Sequence, residues 1–312
     1  MYETLYLIGK GQFGSVYKAR HSTTGQIVAI KEICLSRFDE TVLRTVLREL
    51  KVLQSISHQN VLSVLDFFIK SSSTLCIVTE YCTFDLTFLI RQTSWHLSIP
   101  VLKSIMKQLF SGLKAIHDAS FIHRDIKPGN ILINSKGVIK VADFGLARCL
   151  PQKCDNLTPH PATRWYRSPE VLFGSRDYDA TIDVWAAGCV MAELLSKVPL
   201  FPGISDIDQL QRIIQTLGSP TNSTWPGVKK LYDFHKVSFP YSSGRNFSSL
   251  FSGSDSVLVN FFEQCLCWPN NRLDAAQALQ HDWFHVEPLD LPCELILPEI
   301  TQYITDLAGF ND

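Results

Sequence analysis

Apolar and polar positions follow two different periods along the chain. Ser15–Arg20 (S-V-Y-K-A-R) and Gln26–Lys31 (Q-I-V-A-I-K) are rich in β-branched residues and flank a Thr24-Gly25 turn, which predicts two paired strands. Leu75–Glu80 predicts a buried strand. Between them, Glu40–Ser55 switches to helical spacing, with Val42, Val46, Leu47, Leu50 and Leu53 on one stripe. From residue 86 the helical period takes over. Pro100 suits the first turn of a helix running to about His117, with Val101, Ile105, Leu109, Leu113 and Ile116 on one face. Ile131–Ile133 and Val138–Val141 interrupt as a hairpin around Asn-Ser-Lys-Gly. Asp206–Leu217, Val257–Leu266 and Ala275–Leu279 predict further helices. Residues 218–256 predict an ordered, irregular connection, and Pro288, Pro292 and Pro298 a short tail. Strands therefore dominate the first part and helices the rest, an α+β pattern.

Composition narrows the classes. The chain has 312 residues, 46% hydrophobic and 19% charged, enough for a sizeable core. A net charge of −1 gives no long-range field that would favour nucleic acid, so no nucleic-acid partner is expected. The first residues lack a basic region followed by an apolar run, and no stretch is long enough to cross a bilayer, so no secretory leader and no membrane insertion are expected. Residue 2 is Tyr2, not the glycine of myristoylation, and the last residues carry no prenylation box. Nine scattered cysteines, with Cys265 and Cys267 the nearest pair, point to reduced thiols rather than zinc or disulfides.

The richest chemistry runs from His123 to Gly145. Asp125, Lys127 and Asn130 precede the hairpin and Asp143 follows it directly. Folding the hairpin back brings Asn130 and Asp143 together, two oxygen donors beside a lysine, as a hard cation and a phosphate chain require. Gly9, Gly11 and Gly14 form G-x-G-x-x-G. Alone this is shared with dinucleotide-binding folds, but here it leads into a strand rather than a helix. A glycine there lets backbone lie close over phosphates.

In these residues the chain resembles the eukaryotic protein kinases, over about residues 4–285. The resemblance implies a bilobal kinase fold: a small, mainly antiparallel N-lobe with one key helix at 1–79, a hinge at 80–85, and a larger helical C-lobe at 86–285. The activation segment would span 143–170, with a tail at 286–312. It implies ATP and Mg²⁺. Asp125 would accept the proton of the attacking hydroxyl, Lys127 would steady the transferred group, and Asn130 and Asp143 would hold the metal. Lys31, in Val28-Ala29-Ile30-Lys31, would bind the α- and β-phosphates and pair with Glu49. Ile8, Gly9, Gly11, Gly14, Val16, Ala29 and the gatekeeper Thr79 would surround the nucleotide. Backbone from Glu80 to Cys82 would meet adenine. Asp85 would reach the ribose or cap the next helix. Glu170 would pair with Arg272, and Asp183 would hold the catalytic-loop backbone or serve as an ordinary cap.

Lys127 follows the serine/threonine pattern. Thr163-Arg164-Trp165-Tyr166-Arg167 is similar to the group that contains cyclin-dependent and MAP kinases, in which Thr163 and Arg167 would shape a pocket for proline after the phosphoacceptor. Leu200-Phe201-Pro202-Gly203 and the tail P-L-D-L-P-C-E-L-I-L-P resemble the cyclin-dependent branch and its cell-cycle-related subgroup, which implies a cytoplasmic or nuclear protein with a link to cilium assembly. Thr158 takes the place of the activating threonine, and Arg48, Arg124 and Arg148 that of its phosphate receptor. Gln12-Phe13 replaces the inhibitory Thr-Tyr pair. Leu43–Glu49 reads L-R-T-V-L-R-E rather than P-S-T-A-I-R-E, which leaves open whether the activating partner is cyclin-like. The alternative from another class is a catalytically silent scaffold, against which the complete set Lys31, Glu49, Asp125, Asn130 and Asp143 argues.

Overall fold

The computed structural model describes residues 1–11, 14–34, 49–71, 74–92, 97–149, 164–251, 253–296 and 298. The first part is a five-stranded antiparallel sheet in the order β1-β2-β3-β5-β4. Its strands are β1 (Tyr2–Gly11), β2 (Gly14–His21), β3 (Ile27–Cys34), β4 (Val64–Ser71) and β5 (Thr74–Glu80). The alternation of β3 decides what each face carries. Val28 and Ile30 pack with Ala19, Cys76 and Val78 on one face. Ile33 turns to the other and packs with Leu75, Ile77 and Leu50. Leu50 belongs to a helix over 49–55 (α1). Lys31 pairs with Ile77 in register, so it shares the α1 face.

The second part is built around two helices, α3 (Ile99–Asp118) and α5 (Thr181–Ser196), and a short α2 (Leu86–Arg91) joins them. The stripe expected on α3 is buried throughout, from Val101 to Ile116. α5 is apolar on nearly all sides, as a helix enclosed by protein must be. Around this pair lie α4 (Pro169–Leu172), α6 (Asp206–Leu217), α7 (Phe247–Leu250), α8 (Ser256–Cys265) and α9 (Ala275–Leu279). The irregular stretch from 218 is held by rings: Phe173 contacts Trp225, Phe234 and Phe239 at centroid distances of 5.8, 5.4 and 6.3 Å.

The chain between the two parts carries small sheets. β6 (Cys82–Asp85), β8 (Ile131–Asn134) and β9 (Ile139–Val141) form one, and β7 (Phe121–Ile122) pairs with β10 (Arg148–Cys149). The hairpin expected around Asn134–Gly137 is present. Asn134 Oδ1 accepts the N–H groups of Lys136 and Val138, and Gly137 has φ 75°. β4 has no counterpart in the sequence reading. Its Leu65, Phe67 and Ile69 are exposed, so no polar face reveals its alternation.

Residues 286–296 are not a free tail. Lys103 Nζ donates to the Val286 carbonyl at 2.6 Å, Lys107 pairs with Asp290 at 2.9 Å, and the Leu291 N–H reaches the Pro100 carbonyl at 3.1 Å. Gly137 lies so close to the Cys293 carbonyl that a side chain there would collide with it. Ile296 is fully buried in the main core.

A buried ion pair locks the region after residue 164. Arg272 donates to Glu170 through both guanidinium arms, at 2.6 and 3.1 Å, and to the Cys267 carbonyl at 2.9 Å. Both side chains are at most 5% exposed. Arg272→Met strands a buried carboxylate and is expected to cost about 3–5 kcal/mol, while adding Glu170→Gln restores much of it. Urea denaturation of the three chains checks this; an unchanged midpoint in the single variant would refute it.

Candidate active site

Between the sheet and the helical part lies a cleft of about 950 Å³. Ile8, Gly9, Val16, Ala29 and Thr79 line it from the sheet, Glu80, Cys82 and Asp85 from the connection, and Asp125, Lys127, Asn130 and Asp143 from the opposite side. Residues expected at one site from places more than a hundred positions apart thus share one cleft. Gly9 has open space around the position of a side chain, which leaves its backbone accessible to a ligand. Gly14 is not among the described residues that line the cleft, and Gly11 pairs with it in register. They face each other at the end of the β1–β2 hairpin, and a side chain at Gly14 would collide with the Glu32 carbonyl. At Gly14 strand packing by itself therefore requires glycine.

Lys31 and Glu49 form the first functional contact. Lys31 Nζ donates to both carboxylate oxygens of Glu49, at 2.9 and 2.8 Å. Glu49 is only 6% exposed, so the generic solvent-facing glutamate is excluded. Burial opposes the Lys31 charge, but the Glu49 and Asp143 carboxylates outweigh it and hold the ammonium above its ordinary range. A permanent cation therefore faces the cleft, fixed from behind by α1.

The loop after β7 carries the second. Asp183, in the first turn of α5, accepts the His123 and Arg124 N–H groups, each at 2.8 Å, and lies 2.9 Å from His117 Nε2. It is a loop anchor rather than a plain helix cap. Arg124 is thereby held at φ 70°, in the left-handed region. The Asp125 carboxylate then points into a small network: Lys127 Nζ donates to its Oδ2 at 2.7 Å and Asn130 Nδ2 at 2.9 Å. These donors aim one carboxylate at the cleft.

Asp143 has φ 64° and accepts only the Gly145 N–H, at 3.4 Å, among the hydrogen bonds of described residues. Phe144, next to it, is fully buried and meets the His123 ring edge to face at 4.9 Å. The Ala142 N–H donates to the Asn130 carbonyl at 2.9 Å and ties the two loops together. The donor set at this end is a carboxylate and an amide oxygen. Among the described residues no three His, Cys, Asp or Glu side chains could cage a metal. A carboxylate with an amide oxygen fits Mg²⁺, which takes one or two protein oxygens and completes its shell with water and phosphate.

At the other end, Glu80 pairs with Lys140 on β9 at 2.7 Å and accepts the Ser63 N–H at 3.3 Å. Lys140 is buried, and the sequence reading did not include it; a lysine flanked by Ile139 and Val141 in a strand was the available signal. Burial pushes the Cys82 thiol up to about 12, so it stays protonated. Asp85 lines the cleft and caps α2 through the Phe88 N–H at 2.8 Å.

Arg148 pairs in register with Ile122, two residues before Arg124. Arg124 stands over the Tyr178 ring at 5.9 Å. Arg167 lies 3.9 Å from Asp206. Arg48, Thr158 and Thr163 lie outside the described residues.

Comparison with known proteins agrees with this geometry. The protein kinase domain family profile matches residues 2–284. Cyclin-dependent kinase 7 of Xenopus laevis is 42% identical over 299 residues, covering 95% of this chain and 84% of the relative. Cyclin-dependent kinase 20 of Danio rerio, a kinase also known as cell-cycle-related kinase, is 40% identical over 291 residues, covering 92% and 84%. The corresponding kinase of Rattus norvegicus is 37% identical over 295 residues, covering 94% and 85%. Resemblance to these two kinds is nearly equal.

The Asp183 carboxylate gives the site a pH signature. Burial pushes its carboxyl up, but His117, His123 and the Arg124 N–H together outweigh it and hold the group below its ordinary value. Unfolded, the group titrates near about 3.9. The stabilisation is therefore complete above that pH and is lost as pH falls through the lower folded value. Asp183→Asn is expected to be less stable than the parent at pH 7, with the gap narrowing below about pH 4. Urea midpoints from pH 7 to 3 read this, and a pH-independent gap would contradict it.

Proposed function

The chain belongs to the protein kinase family and is a serine/threonine kinase of the cyclin-dependent type, and from that premise we propose that it transfers the γ-phosphoryl group of ATP to serine or threonine followed by proline. The observation that carries the reading is the convergence of the Lys31–Glu49 pair with the Asp125, Lys127 and Asn130 network in one cleft. Asp125 accepts the proton of the substrate hydroxyl. Lys127, bonded to the same carboxylate, faces the transferred group. Lys31 neutralises the phosphates from the sheet side. Asn130 and Asp143 would hold Mg²⁺, which would offset charge on the phosphate oxygens. The work of the chain is positioning and charge placement around an in-line transfer.

Proline selectivity rests on Arg167 and Thr163, because a backbone lacking an N–H leaves no donor unsatisfied in such a pocket. Phosphorylation of Thr158 would supply the anion that Arg48, Arg124 and Arg148 receive. The relatives are named for dependence on a cyclin, and a cyclin-like activator is the partner kind this reading takes. Substrate proteins carrying Ser-Pro or Thr-Pro, a cytoplasmic or nuclear place and a link to cilium assembly complete it. The lobe limits at 1–79, 80–85 and 86–285 belong to the same reading. Nothing in the cleft favours the silent scaffold, since every residue named for chemistry is present.

The test is transfer from ATP and Mg²⁺ to paired peptides with Pro or Ala after the serine. Proline is expected to be preferred, and Asp143→Asn to abolish transfer. Asp125→Asn should lower kcat by at least about 10²-fold; near-normal turnover would sink its role. Thr158→Ala should lower activity of the otherwise phosphorylated enzyme, and equal activity in both would remove the phosphate from the account.

A further inference from the structure

The register of the five-stranded sheet puts a second lysine on the cleft face. Tyr6 pairs with Lys18, Lys18 with Ala29 and Ala29 with Thr79, so four strands contribute one row. Directly paired residues share a face of a sheet. Tyr6, Ala29 and Thr79 line the cleft, which places Lys18 on the same side. Its ammonium stands over two rings, 4.4 Å from the Tyr81 centroid and 5.5 Å from that of Tyr6. Both contacts lie within reach of cation–π attraction. Tyr81 lines the cleft from the connection, so one cation joins a ring on the sheet to a ring on the chain leaving it.

We infer that Lys18 is the positioning residue for Tyr6 and Tyr81, holding both rings at the connection end of the cleft, where they help retain the base of a bound purine nucleotide. The inference rests on the reading of the cleft as an ATP site. Neither ring is fixed by its backbone alone. Tyr6 belongs to β1, an edge strand paired only with β2. The β1 register shifts between Thr4 and Tyr6 and again between Leu7 and Gly9, which interrupts the ladder beside the cleft. Tyr6 is also 53% exposed, so packing leaves its ring room to turn. Tyr81 lies between the end of β5 and the start of β6. Among the described residues, Lys18 is the cation that both rings share. Removing its charge leaves the strands paired and takes away what orients the two side chains.

The experiment measures the Kd of the full chain for ADP with Mg²⁺, and for adenosine, by titration calorimetry. The chains compared are the parent, Lys18→Met, Lys18→Arg, Tyr81→Leu and the double variant Lys18→Met with Tyr81→Leu. Both Kd values are expected to rise about two- to fivefold in Lys18→Met and to recover substantially in Lys18→Arg, whose guanidinium also stacks on rings. The double variant should bind about as weakly as the weaker single variant, because each substitution removes the same contact. Unchanged affinity in Lys18→Met overturns the inference. So does a loss for ADP that adenosine does not share, which would assign the charge to the phosphates, and so do single effects that simply add in the double variant. A loss accompanied by a large fall in thermal midpoint, and not recovered by Lys18→Arg, assigns Lys18 to folding and also overturns it. A parent that binds neither ligand overturns the ATP reading and this inference together.

Discussion

One buried carboxylate supports most of what this cleft can do. Asp183 is 1% exposed and accepts two consecutive backbone N–H groups from the loop that carries Asp125. Those donors belong to a loop folded against the core, where an unpaired N–H costs about as much as a lost hydrogen bond. The carboxylate therefore decides the path of the loop, and the loop decides the aim of Asp125. It sits on α5, the most enclosed helix, so the anchor moves only if the core does. His117 on α3 meets the same oxygen, which ties both central helices to one point.

That anchor also sustains backbone strain. Arg124 and Asp143 both lie in the left-handed region, at φ 70° and 64°, where a side chain costs roughly 1 kcal/mol or more. Each strained residue is next to a buried neighbour that prevents relaxation: His123 beside Arg124, Phe144 beside Asp143. The two neighbours touch, and His123 Nε2 lies 2.9 Å from the Ala142 carbonyl. The loops that carry Asp125 and Asp143 are thus braced against each other rather than separately.

The two halves of the cleft are joined by strand-like contacts. Val141 exchanges backbone bonds with the stretch after α1, its N–H donating to the Asn60 carbonyl and its carbonyl accepting the Leu62 N–H, each at 2.9 Å. Asn60 Nδ2 adds a bond to the Ile139 carbonyl at 3.0 Å. Lys140, on the same strand, holds Glu80 at the connection. One three-residue strand therefore links α1, the connection and Asp143, so the separation between Lys31 and the acids is built into β9.

The chemistry of the cleft was legible in the sequence because its donors sit at short, fixed spacings: Asp125, Lys127 and Asn130 on one loop, Asp143 after one hairpin, Lys31 on one strand. Local geometry carries such sets, and the helical stripe of α3 and the turn at Asn134–Gly137 were readable for the same reason. β4 was not, because an edge strand with exposed Leu65, Phe67 and Ile69 lacks the alternation that marks a half-buried one. Nor were Lys140 against Glu80 or Asp206 against Arg164 and Arg167. An ion pair between residues 39 or more positions apart leaves no periodic trace, and its partners are chosen by which helices and strands pack together. The residues of the site were thus set by local sequence. Their aim, and the fit of Gly14 against the neighbouring strand, were decided by tertiary packing, because only there do distant backbones come close enough to exclude one another.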